Sequence, residues 1–591
     1  MEAEKNKGCK AMLEPLTCAE GYPFEDGILG VNMEITRTGF FGGLCAQMLN
    51  NRKLFMGQDG VDGWVCENFT RVLDRPEESL CQSNFIILKN GSMSQTSKVI
   101  ALQKGKTYEA KVWAKAYSTA ADVTFGVAGM EQTMTISADG EPYQALSFVF
   151  DGEDLDNGTF AVKVSGEVAV FEVSLMPTDH FYGMRWDVIE HLRTIAPTSL
   201  RFPGGCAADH FAWRESLKAP ELRKPVDGLD MMGHLFRDTY HQDTMDIGLN
   251  EFIMLCRELN AEPELTVSLV LSNGADAHDY VEYCNGDATT EYGAKRQALG
   301  FDAFNVHLWY VGNEAYFFGY EYRNSTLAAQ RTDELIAAMK QADPSIAVAI
   351  GLTWGVDFQA WAFDFMKNLQ SDFEYVSYHD YIGILPDATQ GENGMATCKM
   401  LESNFADGHC FGLDFYRDKL YADNFDQIRI CVDEWNYSWG KDSSNALFFS
   451  NALQFHFFAK GKESYHIDRA EFFMPVNEGM ITVRGNKCKM ESTGEMFRLL
   501  AGHRNGRVVP CTSENGVLDI LCTDHGDHLY VSVVNRGGEP VALTAKDYAV
   551  TSCAEIEAKA YSFESNDYEI HENADAVVHG HSMAFLMLER K

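Results

Sequence analysis

At 591 residues the chain is too long for one ordinary domain. Hydrophobic residues make up 46% and charged residues 23%, the balance of a globular protein that can bury a full-sized core. The formal charge of −37, from 86 acidic against 49 basic side chains, repels phosphate backbones and anionic lipid, so nucleic acid and membrane are excluded as partners and a neutral substrate is favoured. The 15 cysteines are scattered without a C-x-x-C pair, several inside apolar runs (Cys256, Cys431, Cys522), which predicts reduced, buried thiols. The first thirty residues lack a basic stretch followed by an apolar one, and no window approaches the roughly eighteen apolar residues of a spanning helix. The expectation is a cytoplasmic protein.

In chain order, residues 1–27 form an N-terminal segment that can add strands to a later sheet. Residues 28–60 read as a first βα unit: the strand ILGVNMEI, the turn TRTGFFGG and a helix over LCAQMLNNRKLF. Residues 61–178 change to short alternating runs (YEAKVWAKAY, VTFGVAG, QALSFVF) separated by turn clusters such as ADGE and DGEDLDNG, the pattern of a β-sandwich. Because it falls after the first strand, this module reads as an insertion. Residues 179–503 alternate helices (MRWDVIEHLRTIA, NEFIMLCRELNA, TDELIAAMKQA) with strands apolar nearly throughout (PELTVSLVLS, VHLWYVGNE, SIAVAIGLTW, IRICVDEW). Such strands belong to a parallel sheet covered on both faces, and about eight of them close a (β/α)8 TIM barrel. Residues 504–591 return to short strands (VLDILCT, HLYVSVVNR, AFLMLER), a C-terminal β-sandwich. The fold class is therefore α/β.

In such barrels chemistry sits where strands end. VHLWYVGNE ends in Asn313 and Glu314; IRICVDEWN ends in Asp433, Glu434, Trp435 and Asn436. Two strands intervene, so the glutamates fall at about the fourth and seventh strands, which face each other across the mouth. Two carboxyls flanking one bond are what glycoside cleavage requires, one donating a proton to the leaving oxygen and the other attacking the anomeric carbon. No H-E-x-x-H, P-loop or G-x-S-x-G elbow occurs, and the two-carboxylate mechanism needs neither metal nor cofactor. Asp433 reads as a structural partner, for an arginine such as Arg201. Trp435 and Trp439 are candidates for stacking on sugar or for packing under the loop.

The motifs RFPGGC (201–206), WYVGNE (309–314), SYHDY (377–381) and VDEWNYSW (432–439), with the early GVNMEITRTGFFGGLCAQMLNNR, resemble those of glycoside hydrolase family 51, chiefly α-L-arabinofuranosidases. The middle module is similar to the carbohydrate-binding-like insertion of longer members. The resemblance implies Glu314 as acid/base and Glu434 as nucleophile. It also implies Asn313 on the substrate 2-hydroxyl, Glu34 on arabinose hydroxyls, and His379 and Tyr381 orienting the nucleophile and lining the subsite. Two positions depart from the pattern. Cys206 stands where many members carry a sugar-binding asparagine, and the last strand reads EFFMPVNEG without the frequent glutamine. The implied activity is a retaining, exo-acting enzyme that trims terminal arabinofuranose from arabino- or arabinoxylo-oligosaccharides. The alternatives are a β-xylosidase or endo-β-glucanase on the same scaffold and a non-catalytic glycan-binding protein. The sequence leaves oligomeric state open; the resemblance allows a homo-oligomer.

Overall fold

In the computed structural model the described residues are 9–17, 20–35, 38–57, 60–138, 142–227, 242–318, 320–352, 359–381, 413–420, 428–437, 442–572 and 575–591. Eight parallel strands close a barrel: Gly30–Asn32, Ser199–Phe202, Glu262–Val267, Leu308–Val311, Ala347–Gly351, Tyr375–Tyr381, Arg429–Asn436 and Ile467–Phe473. The last strand pairs with the first through Phe472 and Val31. Ser199–Phe202, Leu308–Val311 and Tyr375–Asp380 are buried at every position, as a sheet covered by helices requires.

The covering helices follow from their sequences. Trp186–Ile195 buries Val188, Ile189, Leu192 and Ile195, one face of a 3.6-residue period, and ends where Ala196 turns left-handed and its N–H bonds Leu192. Asn445–Lys460 is buried almost all round, since it lies between the barrel and the C-terminal sheet. His456 joins the two by bonding Asp519 at 2.6 Å and Ser532 at 2.7 Å. Among the described residues no helix is long and apolar enough to cross a membrane.

Between Val65 and Pro177 lies an antiparallel eight-stranded sheet. Phe125 and Ile136 from one end of its strand path pack in the same core as Tyr108 and Leu146 from the other, so the sheet folds over itself in two layers. The C-terminal sheet spans Arg507–Arg590 and takes in two N-terminal strands: Cys9–Pro15, parallel to Val541–Ala545, and Tyr22–Pro23, paired with Arg507–Val508.

One expected element is absent. The helix expected over 44–55 is an irregular segment, and among the described residues the unit expected over 28–60 holds the short strand Gly30–Asn32 and a distorted helical turn at Phe40–Leu44. The first barrel helix is Trp186–Ile195, so the insertion separates the first strand from its own helix. Tertiary contacts override helix propensity here, because the segment gives its backbone to neighbours on both sides. Ala46 N–H bonds Gly183 at 2.8 Å, Met48 N–H bonds Leu175 at 3.0 Å, and Val173 N–H bonds Arg52 at 3.0 Å. Its side chains do likewise. Arg52 pairs with Glu172 of the inserted sheet and donates from Nε to Asp246 at 2.7 Å, while Lys53 Nζ donates to Pro220 at 2.6 Å and Arg223 at 2.7 Å. Burial lowers the Lys53 ammonium to about 7, with Arg52 adding to the effect.

Glu172 is fully buried, so Glu172→Ala leaves Arg52 a poorly compensated buried cation. The variant is expected to lose about 3 kcal/mol in denaturant unfolding, and a further Arg52→Met change to restore most of it.

Candidate active site

The strand ends gather the chemistry at one mouth. The fourth strand leaves the barrel through Gly312, at φ +70°, and Glu314 follows at φ +44°. A left-handed glutamate costs about 1–2 kcal/mol, which the surrounding contacts must offset. They hold its carboxyl facing the sixth strand, where His379 Nδ1 lies 2.8 Å from Glu314 Oε1.

The seventh strand carries a β-bulge. Cys431 pairs with Ser377 and Glu434 with His379, three residues against two. The extra residue lets both Asp433 and Glu434 reach the barrel interior, where a regular strand would send one of them outward. Asn32 Nδ2 donates to the Asp433 carbonyl at 2.9 Å and braces the bulge. Alternation then resumes, so Trp435 faces the helical layer, fully buried among Phe458, Phe472 and Phe497. Trp435 is therefore a packing residue and not a sugar platform; Trp439 lies outside the described residues.

Arg201, at the end of the second strand, links these parts. Its Nη1 is 3.1 Å from Glu434 Oε1, and its Nη2 is 3.1 Å from Asp433 Oδ2 and 2.9 Å from Asn313 Oδ1. Its guanidinium lies 4.7 Å from the Tyr310 ring centre. Burial disfavours its charge, but Asp433 and Glu434 outweigh burial and hold it protonated. The Asp433–Arg201 pairing expected from the sequence is present. The contacts of Arg201 with Glu434 and Asn313 were not foreseen, although RFPGG at a strand end was a signal for them. Asn313 spends its carbonyl on Arg201, and its buried Nδ2 has no partner among the described residues, leaving amide hydrogens to donate to a ligand.

On the sixth strand His379 and Tyr381 share one face. His379 Nδ1 is also 3.5 Å from Glu434 Oε2, its Nε2 is 3.7 Å from Asp433 Oδ2, and Tyr381 Oη donates to Glu434 Oε2 at 2.8 Å. Asp380, between them, turns outward to accept from Gln454 Nε2 at 3.1 Å, and burial pushes its carboxyl up to about 7. Glu34 is buried beside the second strand and accepts the Ala207 N–H at 3.1 Å.

Gly204 and Gly205 make this approach possible. A Cβ on Gly204, at φ +106°, would lie 2.2 Å from Glu34 Cα, and one on Gly205 would lie 2.3 Å from Glu434 Oε1. Cys206 follows directly, half-buried and outside any disulfide, at the start of the turn Cys206–His210. Asp209 in that turn was missed from the sequence. Buried and pushed up to about 6 by burial, it accepts the Leu269 N–H at 2.7 Å and anchors the loop after the third strand.

One carboxylate oxygen each from Glu314 and Glu434 and one nitrogen of His379 all lie within 4.8 Å of one another. Among the described residues these three are the donors at the mouth that converge closely enough to hold a cation. Burial opposes the His379 charge, but Glu434 and Asp433 raise it well above the ordinary imidazole range. Burial drives the Glu434 carboxyl up to about 7; His379 and Arg201 pull it down while Glu314 and Glu34 push it further up.

A parallel eightfold barrel whose fourth and seventh strands present two glutamates to one point has the arrangement that glycoside cleavage calls for. Residues 191–382 match the family model of the alpha-L-arabinofuranosidase 1 domain. The chain is 24% identical over 414 residues to alpha-L-arabinofuranosidase 2 of Arabidopsis thaliana, covering 61% of this chain and 57% of that one. It is 25% identical over 276 residues to an intracellular exo-alpha-(1->5)-L-arabinofuranosidase of Acetivibrio thermocellus, covering 46% and 52%. The chain thus spans little more than half the length of these relatives. In fold it is similar to the arabinose-bound MgGH51 α-L-arabinofuranosidase (TM-score 0.76, 14% identity, 98% and 100% covered). It is also similar to the Thermotoga maritima α-L-arabinofuranosidase (TM-score 0.56, 20% identity, 69% and 90% covered). The family model and these relatives are those of α-L-arabinofuranosidases, the group the motifs resemble, and the solved structures share the fold.

Gly205→Ala is expected to cut kcat at least about 100-fold with unfolding unchanged within about 1 kcal/mol, because the new methyl displaces the Glu434 carboxylate. Trp435→Ala should do the reverse, costing about 3–5 kcal/mol of stability with KM little changed.

Proposed function

We propose that the protein is a retaining, exo-acting α-L-arabinofuranosidase that releases terminal arabinofuranose from arabino- or arabinoxylo-oligosaccharides. The observation that carries this reading is the approach of Glu314 and Glu434 to within 4.8 Å, near the roughly 5 Å of a pair in which one carboxylate touches the sugar. An inverting pair would stand farther apart to admit a water.

Glu434 is the nucleophile. Arg201 and Tyr381 each aim a donor at one of its oxygens, which stabilises the ionised form and fixes the attacking atom. Glu314 is the acid/base. It protonates the leaving oxygen as the glycosyl–Glu434 ester forms, then takes a proton from the water that cleaves that ester. His379, bonded to Glu314 and close to Glu434, supplies positive charge between the two carboxyls throughout. Asn313 offers its uncommitted amide hydrogens to the sugar 2-hydroxyl, and Glu34 accepts from another hydroxyl. Cys206, a weak donor and acceptor, borders the same subsite. The charge excess of 86 acids over 49 bases suits a neutral oligosaccharide. A cytoplasmic setting accords with described cysteines that form no disulfide. Relatives are named both as intracellular enzymes and, in Streptomyces chartreusis, as an extracellular one.

Glu434→Ala should abolish turnover of an aryl α-L-arabinofuranoside; near-normal turnover would sink the assignment. Glu314→Ala should recover with azide and give a glycosyl azide of retained configuration. A panel of aryl glycosides separates arabinofuranosidase from β-xylosidase and endo-β-glucanase, and binding without turnover on every member would mark a glycan-binding protein.

Since the nucleophile works only when ionised and its carboxyl sits at about 7, kcat/KM is expected to fall as pH drops through about 7. His379→Gln removes a neighbouring positive charge that lowers this value, so the acidic limb should move to higher pH. A limb that stays in place would show that His379 does not act on Glu434 through its charge.

A further inference from the structure

The C-terminal sheet carries a second group of converging ionisable side chains, unconnected with the barrel mouth. Tyr548–Ala558 pairs antiparallel with Tyr568–Glu572, which sets Glu555 opposite His571 and Glu557 opposite Glu569. The two-residue period puts Glu555 and Glu557 on one face. After Val577–Val578 the chain brings His579 over the same face, its N–H donating to Glu555 Oε1 at 2.6 Å. His579 Nδ1 is then 3.0 Å and 3.1 Å from the two Glu555 oxygens, and His571 Nε2 is 3.2 Å from Glu555 Oε2. Glu557 Oε2 lies 3.7 Å from His571 Nε2 and 3.9 Å from His579 Nδ1.

We propose that Glu555, His571 and His579 bind one divalent transition-metal ion, zinc by its donor set, with Glu557 facing the fourth coordination position. Tetrahedral zinc holds nitrogen and oxygen ligands at about 2.0–2.2 Å, so its ligand atoms stand about 3.3–3.6 Å from one another. The histidine-to-carboxylate separations here, 3.0–3.9 Å, bracket that edge length, and the donor atoms of Glu555, His571 and His579 all lie within 4.8 Å of one another. Two imidazoles with carboxylates suit zinc better than calcium or magnesium, which prefer all-oxygen shells. Glu555 is fully buried, whereas the imidazoles are 34% and 37% exposed, so an ion can enter past the histidines and meet a carboxylate withdrawn from water. Lys559, 3.0 Å from Glu557 Oε2 and 2.8 Å from Glu569 Oε2, already restrains Glu557, which makes it the weakest of the four. The ion would tie both strands and the returning chain at 577–579 together, a staple for the C-terminal sheet. The competing account is a metal-free site in which the imidazoles only hydrogen-bond Glu555.

The test uses the full chain, stripped with chelator and desalted. After equilibration with zinc sulfate and desalting, elemental analysis should find one zinc per chain, and zinc should raise Tm by about 2 °C or more. The His571→Gln/His579→Gln double variant should lose both effects while turning over the aryl arabinofuranoside at the wild-type rate. Should the double variant fail to fold, His571→Asn alone should weaken zinc binding at least tenfold in titration calorimetry. No stoichiometric zinc in the wild type would overturn the proposal. So would zinc retained by the double variant, or undiminished affinity in His571→Asn; loss of that zinc in Glu314→Gln would then place it at the barrel mouth.

Discussion

Arg201 is a guanidinium with no exposed surface, and most of the mouth of the barrel is arranged to neutralise it. Taking a cation out of water costs several kcal/mol unless charge and hydrogen bonds are returned to it. Here Asp433 and Glu434 return the charge, Asn313 accepts a further bond and the Tyr310 ring covers one side. These residues come from the second, fourth and seventh strands, so one buried cation registers three separated parts of the barrel. The same ion pairs that tie the strands together hold the Glu434 carboxylate in place.

The bulge in the seventh strand is the backbone counterpart of that constraint. Without the extra residue, Asp433 and Glu434 would point to opposite faces, and Arg201 would lose one of its anions. Farther down the barrel the interior stays polar. Arg469 pairs with Glu264 at 2.5 Å, Tyr310 Oη donates to Glu264 at 2.9 Å, and burial together with Glu264 raises the Glu471 carboxyl well above its ordinary range. Beneath the mouth these polar groups sit beside an apolar cluster of Leu308, Tyr310, Ala347, Ala349, Tyr375 and Cys431.

The inserted sheet joins the barrel through a segment that has no regular structure of its own. Arg52 and Lys53 sit almost fully buried at that junction, one paired with Glu172 and Asp246, the other capping two backbone carbonyls. Such a junction fixes the insertion to the barrel through charge and backbone bonds, which is why a stretch rich in helix-forming residues is irregular.

The order of strands and helices, the eightfold barrel and the two glutamates at strand ends were legible in the sequence, because periodicity reports burial and a carboxylate after an apolar run is conspicuous. The pairing of Asp433 with Arg201 was legible for the same reason, as two opposite charges at apolar strand ends need one another. Only the tertiary structure decided where Trp435 points, since a one-residue bulge sets which face each later residue takes and leaves no mark in the composition. It also decided the fate of residues 44–55, whose backbone partners lie more than a hundred residues away. Local propensity cannot anticipate bonds formed across that distance.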